Sequence, residues 1–251
     1  MKPVRLSDAA EARVERNRDL AEPTFDIKEF PDLLHLKNQE IIPCKIESYN
    51  KETLTFKSPF IVIGKIDSGH VKGVEFANGM GARDKESFTI DDVKLDRALT
   101  IPRFNRDNPP NHVLIAKTGD LMRGSLLDIS GQRIQFESKL RKMNIPVNRV
   151  AMVVNVSMPE EDLDKPRDSH TTNDNVRATL TDGSTLVFEA LESNNGKLLG
   201  HSPFYGEMAI PIASIQHLTF GEFEKEKLKS VFDEWVVQQD REPEYSKQTP
   251  P

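Results

Sequence analysis

Apolar and polar side chains alternate along residues 32–76, and the alternation stops at short polar breaks. The stretch "LLHLKNQEIIPCKIESYNKETLTFKSPF" runs strand, turn, strand, turn, strand, with its breaks at "KNQE" and "YNKE". Two further short apolar pieces follow in "GKIDSGHVKGVEF". The same spacing returns over residues 176–220 at a constant shift of 144. Ile42 falls on Leu186, Cys44 on Phe188, Ile46 on Ala190, Leu54 on Leu198, Ile66 on Ile210, Val71 on Ile215, Val74 on Leu218 and Phe76 on Phe220, and "SPF" falls on "SPF". A shared tripeptide arises by chance. A whole window of coinciding core-facing positions without a gap marks an internal repeat.

A third version lies between these two, at residues 112–156. Phe136 and Ser138 match Phe56 and Ser58, and "NIPVNRVAMVV" matches "AIPIASIQHLTF" after one inserted residue. "KTGD" and "LTDGS" hold the first turn of their repeats, and "ISGQ" and "SNNG" the second. Gly and Asn suit such tips because hairpin turns need positive φ. Proline in the step I-P-x-x-x-V/I fixes φ and removes a donor, so one tight helical turn is expected before the last strand. Each repeat thus reads as five short strands in about 45 residues, the plan of small SH3-like and Sm-like barrels. A set of meanders packed into one sandwich fits the same pattern.

The expected organisation is therefore mainly β. It has an N-terminal helix and connector (1–31), β repeat 1 (32–76), a connector with short strands, one at "RALTIPRF" (77–111), and β repeat 2 (112–156). An acidic linker (157–175), β repeat 3 (176–220) and a C-terminal amphipathic helix and tail (221–251) follow. The first helix is read over residues 7–22, capped by Ser7 or Asp8. The last is read from Leu228, Val231, Phe232, Trp235 and Val236 falling on one face.

With 251 residues, 37% of them apolar and 29% charged, the chain supports small cores rather than one massive interior. The formal net charge of −6 argues against a general affinity for nucleic acid or anionic membranes. A single cysteine, Cys44, excludes an internal disulfide and a multi-cysteine metal site, and its strand position reads as a small buried hydrophobe. No apolar run approaches the roughly 20 residues of a membrane span, and the N-terminus carries no apolar signal core.

Chemistry is sparse. The six histidines show no metal-ligand spacing, the acidic linker lacks the glycine of a calcium loop, and "GHS" at 200–202 is no nucleophile elbow. No catalytic residue, metal ligand or cofactor is assigned, and an enzyme with a polar pocket between repeats ranks last.

Charge distribution says more. Repeat 2 has a surplus of four positive charges, and repeat 3 a surplus of two negative ones. Arg123, Arg133, Lys139, Arg141, Lys142 and Arg149 are the candidate anion-binding residues, set against the alternative that a neighbouring segment screens them. Phe60, Phe204 and Tyr205 stand at the third turn of repeats 1 and 3, and Trp235 on the last helix. They are the candidate partner-binding residues, and a plug for the end of a small barrel is the alternative for the loop aromatics.

The run "GDLMRGSLLDI" resembles RNA-binding Sm-like barrels, in which a glycine turn and a strand lead to an acidic residue. That family continues with an asparagine where Ser130 stands, and with an Arg-Gly pair where Arg149 is followed by Val150. The resemblance implies the barrel plan and not the RNA pocket. Residues 99–156 and the close "FDEWVV" resemble uncharacterised planctomycete-type bacterial proteins with tandem repeats of the form turn-GD-strand-G-strand. Such repeats sometimes stand upstream of a thioredoxin-like domain in exported proteins. The expectation is a non-catalytic binding or scaffolding protein that presents the loops of repeated small β units to a protein or polymer partner. It would lie in the cell envelope as part of an exported precursor, or in the cytoplasm otherwise. The alternative is a nucleic-acid or anionic-polymer binder acting through repeat 2.

Overall fold

The computed structural model describes residues 26, 28–77, 90, 92–101, 109–157, 175–221, 232 and 235–239. The expected N-terminal helix and most of the acidic linker lie outside these residues. The described chain is mainly β, and its strands fall into three segments with one order of elements. The first holds β1 (Asp32–Leu36), β2 (Ile41–Tyr49), β3 (Thr53–Lys57), β4 (Lys65–Asp67), a 3-10 turn (Ser68–His70) and β5 (Val71–Glu75). The middle holds β7 (His112–Ala116), β8 (Leu121–Ser130), β9 (Arg133–Ser138), β10 (Arg141–Pro146), a 3-10 turn (Val147–Arg149) and β11 (Val150–Asn155). The last holds β12 (Asn175–Leu180), β13 (Thr185–Asn194), β14 (Lys197–Ser202), β15 (Gly206–Pro211), a 3-10 turn (Ile212–Ser214) and β16 (Ile215–Phe220). The tight turn expected from the I-P-x-x-x pattern is present after Pro146 and Pro211. It also occurs after Asp67, whose carboxylate caps it by accepting from Gly69 N–H.

Equivalent positions do equivalent work. Gln39, Gly119 and Gly183 occupy the same place in the first turn with φ of 72°, 84° and 85°. The bond closing that turn recurs as Leu36 N–H to Glu40 C=O, Ala116 N–H to Asp120 C=O and Leu180 N–H to Ser184 C=O. A bulge interrupts the second hairpin at Ile46/Ser48, Leu126/Asp128 and Ala190/Glu192. In the first two segments a side chain from the opening strand satisfies the bulge. Asp32 accepts from Ile46 N–H at 2.9 Å, and His112 Nδ1 accepts from Leu126 N–H at 3.3 Å.

The segments are joined into one 15-stranded sheet, with β5 antiparallel to β11, β2 to β8, and β2 touching β13. One apolar core runs through all three. It holds Leu34, Phe56 and Val74 from the first, Leu126, Ile134 and Phe136 from the middle, and Val176, Phe188 and Ile210 from the last. A loop of the first segment locks onto the last: Val62 N–H donates to Glu207 C=O, and Ala209 N–H to Phe60 C=O.

Core filling is exchanged between segments. In the middle, Gly124 leaves room for Phe136; a Cβ on Gly124 would stand 2.6 Å from that ring. In the last, Gly200 makes room for Phe188, with a Cβ 2.3 Å from its ring. Gly124 matches Phe188, and Phe136 matches Gly200, so each segment supplies one large ring from one of two places.

A second apolar layer covers the opposite face of β7 and β11. It is built from α1 (Asp92–Leu99), β6 (Thr100–Ile101) and Phe232, Trp235 and Val237, packed on Val113, Ile115, Met152 and Val154. Two expectations are corrected here. "RALTIPRF" is not a strand throughout: α1 runs to Leu99, and among the described residues of this stretch only Thr100–Ile101 is extended. The described part of the last expected helix is not helical, because Trp235–Val237 is irregular and Gln238–Gln239 forms β17, parallel to β6. The i, i+3, i+4 stripe that suggested a helix still buries Phe232 and Trp235, which stack edge-to-face at 5.2 Å.

Candidate functional site

The third turn differs most between segments. It spans residues 58–64 in the first segment, 139–140 in the middle and 203–205 in the last. In the middle it is a two-residue hairpin closed by the Ser138–Arg141 pair. Lys139 and Leu140 both adopt positive φ, 50° and 62°. Such turns favour Asn-Gly, because a Cβ in the left-handed region costs about 1–2 kcal/mol. Leu140 is also 90% exposed. The equivalent loop in the first segment exposes Val62 (67%) and Ile63 (70%).

The aromatic residues of these loops point the other way. Phe60 and Tyr205 are buried in the main core, and Phe204 is half-buried with its ring 4.7 Å from His70. Trp235 is buried in the second layer, where its carbonyl accepts from Lys72 Nζ at 3.0 Å. All four therefore sit against the chain itself. The apolar groups that face outward at the loops are aliphatic.

The basic candidates divide into one and five. Arg123 is engaged: its guanidinium donates to the carbonyls of Thr100 and Arg97, holding the end of α1 against β8. Arg133, Lys139, Arg141, Lys142 and Arg149 are exposed around the β9–β10 hairpin, and none of them forms an ion pair among the described residues. Among the described residues β10 pairs with β9 alone and so forms an edge of the sheet. Strand alternation sends Arg141 and Lys142 to opposite faces of that edge. Lys142 stands opposite Glu137, and Arg141 opposite Ser138. A shallow groove of about 380 Å³ opens beside them, lined by Gln132, Arg133, Asn144, Pro146 and Asn148.

The most perturbed acid was invisible to strand patterning. Glu40, in the "KNQE" break, is fully buried where the first and last segments meet. Its Oε2 accepts from Tyr205 OH at 2.6 Å and from Val187 N–H at 2.9 Å, while Asn38 Nδ2 donates to its Oε1 at 2.5 Å. Burial pushes the carboxyl up to about 7, against the opposing pull of these bonds and of Arg177. Burial, together with Glu40 beside it, raises the Tyr205 phenol well above its ordinary value. Burial also lowers His112 to about 4, with Lys37 adding to the effect. A second polar group lies under Phe232, where His35 Nε2 is 3.4 Å from the Glu75 carboxylate and its ring meets Phe232 edge-on at 5.2 Å. Its place in the polar "KNQE" break gives no sign of burial. Only its place opposite Tyr205, 165 positions away, explains its burial.

No protein-family model, curated protein or solved structure matches this chain.

Proposed function

We propose that this chain is a non-catalytic binding scaffold, in which small repeated β segments present their third-turn loops to a protein or polymer partner. The observation that carries the reading is Leu140. A large apolar side chain stands 90% exposed at a hairpin tip, in a left-handed conformation it fits poorly. The left-handed backbone costs stability, the exposed side chain contributes none through burial, and neither serves the fold, since glycine would satisfy the turn. Retained local strain of this kind supports a contact made outside the chain. Val62 and Ile63, exposed on the equivalent loop of the first segment, are a second apolar element at a third turn.

The test is a displayed peptide library panned on the whole chain and counter-screened on Leu140→Gly and on Val62→Ser/Ile63→Ser. Leu140→Gly should raise stability by about 1 kcal/mol through relief of the turn while weakening recovered binders at least tenfold. Binders indifferent to both variants would overturn the reading.

A second reading, binding of an anionic polymer at the β9–β10 edge, rests on the five exposed cations there. It predicts salt-sensitive retention of the chain on heparin or RNA. Arg141→Glu/Lys142→Glu should abolish that retention. If the chain is still retained, the reading fails.

A further inference from the structure

The first and middle segments meet along two strand pairs, and both pairs obey one local twofold. Counted within their own segments, Val74 and Val153 are the same position, as are Tyr49 and Ile129. In the β5–β11 pair, Val153 lies opposite Val74, and the neighbours exchange, Met152 with Glu75 and Val154 with Gly73. In the β2–β8 pair, Tyr49 lies opposite Ile129, and Ser48 opposite Ser130. A position facing itself with its neighbours exchanged is the rule of an isologous interface, realised here within one chain. The contact between first and last segments uses another position but the same rule: Ile41 faces Thr185, its own counterpart.

Three segments cannot all be matched by pairwise contacts, so three counterparts are left over: Ser193, which answers to Tyr49 and Ile129, and two more. One is Leu121, the middle segment's equivalent of Ile41. It packs into the second apolar layer with Leu95, and α1 is fastened beside it through Arg123. The other is Leu218 on β16, the equivalent of Val74 and Val153. Among the described residues β16 pairs only with β12.

The composition of β16 is also unlike that of the other edges. β10 carries Arg141 and Lys142, β4 carries Lys65 and Asp67, and β15 carries Glu207 and receives the 60–62 loop. Charge on an edge strand deters the addition of another strand. β16 reads IQHLTF and has no Asp, Glu, Lys or Arg.

We propose that β16 is a homodimer edge, pairing antiparallel with β16 of a second copy of this chain about a twofold axis at Leu218. The register follows from β5–β11: Leu218 faces its counterpart, and His217 faces Thr219 of the second copy. β13 then brings Ser193 onto the same axis, as β2 and β8 bring Tyr49 and Ile129. Ser193 is exposed where Tyr49 and Ile129 are buried. The dimer is therefore reversible and concentration-dependent rather than obligate.

Sedimentation of the full chain over a concentration series tests this. The mass should rise from 28.4 kDa toward twice that value. Over the same series, amides 217–219 should gain protection from hydrogen exchange. His217→Lys/Thr219→Lys alters exposed positions and places like charges across the axis. It should return the chain to monomer at every concentration, with the unfolding midpoint of dilute wild type. A wild-type chain still monomeric at about 1 mM, or a dimer that forms without protecting β16, would overturn the proposal. The exchange measurement needs no variant, so poor folding of the double lysine chain leaves the test intact.

Discussion

Two buried side chains pull the stability of this fold in opposite directions with pH. Glu40 titrates at about 7 in the fold against 4.5 as a free side chain. The native state thus holds its proton more tightly than the unfolded chain does. The stability it lends is full below 4.5 and is lost as pH rises through about 7. His112 titrates at about 4 against 6.5, so its contribution is full above 6.5 and lost as pH falls through about 4. Between about 4.5 and 6.5 the two slopes offset each other, and the wild-type profile should be nearly flat there. Glu40→Gln keeps acceptors for Tyr205 and Val187 once the Asn38 amide turns over. It should gain roughly 3 kcal/mol at most over wild type at pH 8 and leave stability rising from pH 4 to 6.5. His112→Asn keeps an acceptor for Leu126 N–H and should leave the opposite slope, with stability falling from pH 4.5 to 7. Urea unfolding across this range checks both, and parallel profiles for wild type and the two variants would refute the assignment. None of this was legible in the sequence. A glutamate in a polar turn looks solvated, and His112 looks like any residue that opens a strand. Burial of either depends on which segment lies opposite.

At the scale of elements the sequence was far more readable, because a strand's inward face repeats every second residue whatever it packs against. The shift of 144 that aligned Ile42 with Leu186 and Val74 with Leu218 also aligns the bulges at Ile46/Ser48 and Ala190/Glu192. Two elements were misread for a common reason. A short amphipathic stretch such as "RALTIPRF" or "FDEWVVQQ" carries too few residues to fix its period, and packing on β7 and β11 decides its conformation. The glycines inside strands were also silent in the pattern, although the fold turns on them. A Cβ on Gly124 would stand 2.0 Å from the Glu137 carbonyl oxygen as well as against Phe136. Gly124→Ala should therefore cost about 1–3 kcal/mol. Adding Phe136→Leu should not restore the loss, because the nearer obstacle is backbone. Chemical denaturation of the single and double variants decides this. A full rescue would mean that ring crowding alone excludes the side chain.

At the scale of the molecule, the repeats were legible but their union was not. Alternation shows that each segment has an inner face, yet it does not say whether three inner faces close separately or together. Here Leu34, Phe136 and Phe188 belong to one core, β5 and β11 share a ladder, and the 58–64 loop of the first segment bonds to β15 of the last. Such a chain should unfold as one cooperative unit rather than as three small ones. Trp235 fluorescence reports the second layer, and far-UV circular dichroism reports the sheet; the two should give coincident urea transitions. Phe188→Leu, placed in the last segment, should move both midpoints equally by removing core volume. A shift in the circular dichroism transition while the Trp235 transition stays in place would mean that the last segment melts alone. Ending the chain after residue 157 offers a sharper form of the same test. It strips the cover from Phe60 and Ile61, whose burial depends on β15. A truncated chain with native-like cooperativity would then show that the ladder between β5 and β11 suffices without the third segment, and that the shared core is a consequence of the pairing rather than its cause.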